Sequence, residues 1–217
     1  MSPESIVLVA RFSPNNKQAE NKLLSFLAKG SEFALESEPG TLKYAFATSR
    51  DEKDTTVYCV EQYADQGAFD HHVSQPHIQQ LAEWLKSGEA GEPQLQFLNQ
   101  LEGFDLTRPE VATHPDPLLL LTDIQYKPGK VEAVLPCWRG VFERTRDDEE
   151  GALHWQLARD SKHPDRILVA HTYESRDYLL TVHAAGKELK ELQAFVKDIQ
   201  VSMKPVFLKI EGGYLHR

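Results

Sequence analysis

The side chains best suited to chemistry in this chain are histidines and tyrosines placed beside short apolar runs. Val57, Cys59, Glu61 and Tyr63 alternate with other residues, so on a strand they share one face. His72 follows nine residues after Tyr63, where a helix is expected to begin. A neutral imidazole at such a corner can take a substrate proton. The alternative is a structural His72 that pairs with Glu61 and fixes the corner. Further along, Trp138, Trp155, His171, Tyr173 and His183 either line a second cleft or fill it. Cys59 reads as a small buried hydrophobe rather than a nucleophile. The group His71, His72 and His77 lacks convincing metal-ligand spacing, so no metal is expected. The chain carries no phosphate-cradling glycine loop and no dinucleotide fingerprint, so no cofactor is expected either.

These residues fall into two sets because the sequence repeats. Glu38-Pro-Gly-Thr-Leu-Lys-Tyr44 matches Glu149-Glu-Gly-Ala-Leu-His-Trp155 at an offset of 111 positions. Val57–Tyr63 matches Ile167–Tyr173, and His72 matches His183. Phe97-Leu98 with Glu102-Gly103 matches Phe207-Leu208 with Glu211-Gly212. Each match is weak alone, but all occur in one order at nearly one offset.

Within the first copy, Ile6–Phe12, Leu42–Phe46, Val57–Tyr63 and Leu95–Leu101 have strand composition. Helical stripes run through Leu23, Leu27 and Ala34, then through Ile78, Leu81 and Leu85. The second copy repeats the order: strands at Leu118–Ile124, Leu153–Ala158, Ile167–Tyr173 and Val206–Ile210, with stripes through Val131–Phe142 and Leu189–Ile199. Pro136 should kink the first of these helices or delay its start. The reading is α+β: two ferredoxin-like βαββαβ units packed as an intramolecular α/β barrel. The expected domains are 1–106 and 118–217, joined by a proline-rich linker at 107–117.

Bulk properties narrow the partners. Lys plus Arg total 24 against 33 Asp plus Glu, a net charge of −9. Such a surface repels phosphate backbones and anionic lipids, so neither nucleic acid nor membrane is expected as a partner. Two cysteines do not suggest a disulfide scaffold, and no apolar run reaches spanning length. A cytoplasmic protein is expected, as a monomeric pseudo-dimer or a homodimer.

The first copy resembles the antibiotic biosynthesis monooxygenase family of dimeric α/β barrels. The resemblance rests on Glu38-Pro39-Gly40, then Glu61, Tyr63 and Asp65, Ala68-Phe69, His72 and Pro76-His77. The second copy departs: His171 stands for Glu61, Glu174-Ser175 for Ala64-Asp65, and nothing matches Pro76-His77. The resemblance implies an apolar cleft between sheet and helices, with Tyr63 touching the substrate and Phe69 as a wall. It also implies His77 as a second candidate base, because related polyketide cyclases carry a catalytic histidine near there. Haem-degrading relatives place Asn on the first strand, whereas this chain has Ala10-Arg11, which disfavours haem. The catalytic set implied is His72, His77 and Tyr63. The binding set is Tyr44, Cys59, Glu61, Phe69, Trp84, Trp155, His171, Tyr173 and His183. The function implied is cofactor-independent oxidation of a quinol, anthrone or polyketide phenol by dioxygen, mainly in the first copy. The alternative is a non-redox barrel: a cyclase, an isomerase or a small-ligand-binding stress protein.

Overall fold

The structure is a computed structural model and describes residues 5–217. Contacts divide it into two compact units, one running to Asn99 and including Leu208–Arg217, the other spanning Gln100–Phe207.

In the first unit, β1 (Ile6–Phe12) lies between β3 (Val57–Tyr63) and β4 (Gln94–Thr107), antiparallel to both. β2 (Thr41–Ser49) pairs with β3 and with the end of β8 (Gln200–Tyr214). Helix α1 (Lys17–Ser37) starts where Asn16 accepts a hydrogen bond from the Ala19 amide at 2.9 Å. Its Ala19, Leu23, Leu27 and Ala34 form one buried stripe. They meet Ala10, Phe12, Tyr44, Phe46, Val57 and Cys59 of the sheet and Leu81 and Trp84 of α3. The expected second helix is two: α2 (Gln66–Ser74) and α3 (Pro76–Leu85). The break is at Gln75, whose ψ of 140° is the extended conformation that a following proline imposes.

The second unit repeats the plan with β5 (Leu118–Tyr126), α4 (Val131–Asp148), β6 (Ala152–Asp160) and β7 (Arg166–Tyr173). Helix α4 starts at Val131 and runs through Pro136, so of the two expectations, a kink or a delayed start, the delay does not occur. After β7 come a short turn, α5 (Arg176–Tyr178), a π-type turn over Leu179–His183, and α6 (Lys187–Val196). Ile199 lies beyond α6 but still packs on the core of this unit. Pro109–Ala112 of the linker forms a 3-10 turn.

Strands β4 and β8 are longer than their apolar cores predict. The hydrogen-bonded order β1-β3-β2-β8-β5-β7-β6-β4 closes on itself, giving the expected eight-stranded antiparallel barrel. Matched arginines follow the two long strands. Arg108 donates to the Ala152 and Arg146 carbonyls at 3.0 and 2.8 Å. Arg217 donates to the Thr41 and Glu38 carbonyls at 2.9 and 2.8 Å, and to that of Ala34. Thr41 and Ala152 are equivalent, each preceding a bulge in the β2–β3 or β6–β7 pairing. No helix among the described residues is long and apolar enough to cross a membrane.

Candidate functional site

Both units build the same corner between the first strand of the hairpin and the helix after it. In the first, the Asp65 side chain caps α2 by accepting from the Ala68 amide at 2.8 Å. A Cβ on Gly40 would lie 2.6 Å from that of Ala68, so only glycine admits the helix there. His72, buried, shares a hydrogen bond with Glu38 through Nδ1 at 2.6 Å, and Thr41 donates to the same carboxylate oxygen at 2.8 Å. The partner of His72 is therefore Glu38, not Glu61.

The second unit keeps each part. Ser175 takes over the cap from Asp65, accepting from the Tyr178 amide at 3.0 Å. Gly151 lies against Tyr178 as Gly40 lies against Ala68. His183 Nδ1 meets Glu149 at 2.7 Å. The two Glu–His pairs are each 34 residues apart. One difference is that Arg144 donates to the other oxygen of Glu149, whereas Glu38 Oε1 is buried with no partner.

The neighbouring sheet face has diverged more. In the first unit the Glu61 carboxylate accepts from Tyr63 OH and, at 3.2 Å, from Cys59 Sγ. Burial, reinforced by the adjacent Glu61, pushes Tyr63 and Cys59 well above their ordinary pKa values. Burial likewise raises Tyr44. These groups donate hydrogen bonds and are not anions. In the second unit His171 replaces Glu61, and its Nδ1 meets Tyr173 OH at 3.0 Å. Burial, helped by nearby His183, lowers the His171 pKa well below 6.5 and keeps the ring neutral. Burial raises Tyr173.

Against this face the second unit holds a cavity of about 160 Å³. Alternate residues of β5 (Leu120, Thr122, Ile124 and Tyr126) form one wall, and Leu189, Leu192 and Val196 of α6 another. Trp138, His171, Leu179 and His183 line it too, with Gln200, Met203 and Pro205 of β8. Trp138 donates to Tyr126 OH at 3.1 Å, and burial raises Tyr126 to about 12. No Asp, Glu, Lys or Arg lines the cavity.

The remaining expected residues take other places. Phe69 meets Tyr63 and Phe97 edge-on. His77 lies on α3 against Phe33, with ring centroids 6.4 Å from His72. Its buried Nε2 has no partner, and burial lowers its pKa. Trp84 stacks on Phe26 and donates to Glu89, packing α3 onto α1. Trp155 fills the second core between Phe142 and His171. Tyr173 supports His171 without lining the cavity. Sequence reasoning missed Glu38 and Glu149 as the histidine partners, although both stand in the matched segments. It also missed Arg144 and Tyr126. Among the described residues no group of three or more His, Cys, Asp or Glu side chains is placed to hold a metal ion.

The model of the antibiotic biosynthesis monooxygenase family matches this sequence twice, at residues 5–84 and 117–194. The chain belongs to the antibiotic biosynthesis monooxygenase family. Solved structures of similar fold include a candidate monooxygenase from Lactobacillus acidophilus, 14% identical, with a TM-score of 0.83 over 96% of this chain and 95% of that one. Another, from Fusobacterium nucleatum, is 20% identical with a TM-score of 0.81, covering 99% and 98% of the two chains. An anthrone oxidase-like protein is 9% identical with a TM-score of 0.67, over 96% and 92%. At these identities the likeness is one of fold, and both family matches end before β8. No curated protein matches the sequence.

Proposed function

We propose that this family member oxidises an electron-rich aromatic hydroxyl compound with dioxygen, in the cavity of the second unit. The observation that carries the proposal is a neutral, buried imidazole, His171, in the wall of an apolar cavity that no Asp, Glu, Lys or Arg lines. Tyr173 engages Nδ1 and leaves Nε2 as the free ring nitrogen. With Tyr173 as the acceptor, His171 Nε2 carries the lone pair and takes the phenolic proton. The phenolate passes one electron to dioxygen, and the phenoxyl and superoxide radicals combine to form a C–O bond. Cleavage of the O–O bond then releases water and leaves an oxidised ring. For a quinol the product is a hydroxyquinone, and the substrate supplies all four electrons. The protein contributes orientation, exclusion of water and a base. By this reading the two copies, 1–106 and 118–217 with the linker 107–117, are duplicates of which the second retains the working cleft.

A second reading places the reaction in the first unit with Tyr63, His72 and His77. The unpartnered, neutral Nε2 of His77 favours it. There His77 is the base and His72 is held by Glu38. Oxygen uptake and product analysis on chelator-treated protein, across quinols, anthrones and simple phenols, test the function. Absence of uptake with every compound overturns it in favour of a binding or cyclase role.

A further inference from the structure

We propose that the cavity of the second unit selects an uncharged aromatic ligand of a single ring, for which the imidazole of His171 and the hydroxyl of Tyr126 are the polar partners at its two ends. This deepens the proposed function, on which its location rests. Three observations carry it. The first is size. A volume of about 160 Å³ is close to that of an engineered apolar cavity that admits benzene, about 150 Å³. A fused three-ring anthrone exceeds it and would have to project through its open side.

The second is charge. No Asp, Glu, Lys or Arg lines the walls, burial keeps His171 neutral, and His183 is already paired with the Glu149 carboxylate. A ligand carboxylate or ammonium would enter without a counter-ion, and such burial is strongly unfavourable.

The third is the position of the polar groups. Leu120 pairs with His171 across the β5–β7 ladder, and Tyr126 lies six residues further along β5 on the same face. The cavity therefore has an imidazole towards one end and a phenol towards the other. The Tyr126 oxygen already accepts from the Trp138 indole, so its own hydrogen is left to donate. Between them lie aliphatic side chains and Thr122. A ring with hydroxyl or carbonyl oxygens finds a polar partner towards either end, and an aliphatic hydrocarbon finds none.

The experiment is titration of the full chain under nitrogen, read by calorimetry and by tryptophan fluorescence. The probes are hydroquinone, toluquinol, naphthohydroquinone, anthrone and benzoate. Toluquinol and hydroquinone should bind, with anthrone and benzoate weaker by at least about tenfold. Ala184→Phe, which fills the cavity, should weaken the single-ring probes by a similar factor, and Tyr126→Phe should do so without filling space. Thermal melting confirms that each variant is folded. Stronger binding of anthrone or benzoate than of the single-ring probes overturns the inference, as does single-ring binding that neither variant alters. Single-ring binding that both variants weaken, with no oxygen uptake once air is admitted, upholds the ligand assignment and overturns the oxidative reading instead.

Discussion

The two halves of this protein keep the same corner and differ in what stands beside it. Glu38–His72 and Glu149–His183 are superposable in sequence spacing, hydrogen-bonding atom and burial. The residue at the centre of the adjacent face is Glu61 in one half and His171 in the other. A buried carboxylate must be supplied with donors, and Tyr63 and Cys59 are committed to that task. A neutral imidazole has one donor and one acceptor site; Tyr173 satisfies one nitrogen and leaves the other. By the proposed reading the pair preserved in both halves is the structural element. A histidine that survives where the surrounding motif has been lost is evidence for folding rather than catalysis.

The largest test of this contrast is functional. His171→Phe should lower turnover by about 10²–10⁴-fold, the usual contribution of a positioned base, with the fold retained. His77→Ala should leave turnover within a few-fold. The reverse result, measured by oxygen uptake at saturating quinol, moves the chemistry to the first half.

The next concerns stability. Arg144 ties down Glu149, which is wholly buried, whereas the matched residue in the first half is Phe33. Arg144→Met should cost about 3 kcal/mol in urea unfolding, because a buried carboxylate loses its cation. A cost below about 1 kcal/mol would mean that His183 suffices without a cation, as His72 and Thr41 do for Glu38.

A third separates the halves by pH. The folded-state pKa of His171 lies below its unfolded value of about 6.5. Above 6.5 both states are neutral and nothing is lost. As pH falls below 6.5 the unfolded chain takes a proton that the native state refuses, so stability drops, by up to about 1.4 kcal/mol per pH unit. His171→Phe should flatten this acid limb, and His77→Phe should flatten it less, because His77 is shifted less far. Denaturant midpoints from pH 7 to 4.5 decide the matter.

The smallest effect is at the helix caps. Asp65→Ala and Ser175→Ala should each cost about 1 kcal/mol, and Asp65→Ser should cost little, since serine already does this work in the second half.

Much of the architecture was legible because local rules govern it. Alternation marked β3 and β7, and β-branched or leucine-rich runs marked β1 and β5. The break between α2 and α3 was implicit in Gln75-Pro76 but was overridden by the apolar stripe. The ends of β4 and β8 were not legible, because Gln, Glu, Lys and Gly there carry no apolar pattern and pairing alone extends the strands. The site was harder. The family pattern drew attention to Glu61, Tyr63, His72 and His77, where the motif is densest. The cavity lies where the motif has decayed, and its walls (Leu120, Thr122, Ile124, Leu192 and Val196) are ordinary core residues in type. Whether a cleft is left open depends on side-chain volumes summed across distant segments.

The matched positions Glu61 and His171 also bear on descent. A self-paired single copy of such a unit acquires every substitution twice, so a change useful in one cleft must be tolerated in the other. Fusion into one chain removes that obligation. One copy can carry a carboxylate at a position where the other carries an imidazole, as Glu61 and His171 do. The duplicated gene is in this sense a dimer freed from symmetry, and its two halves are separate targets for selection.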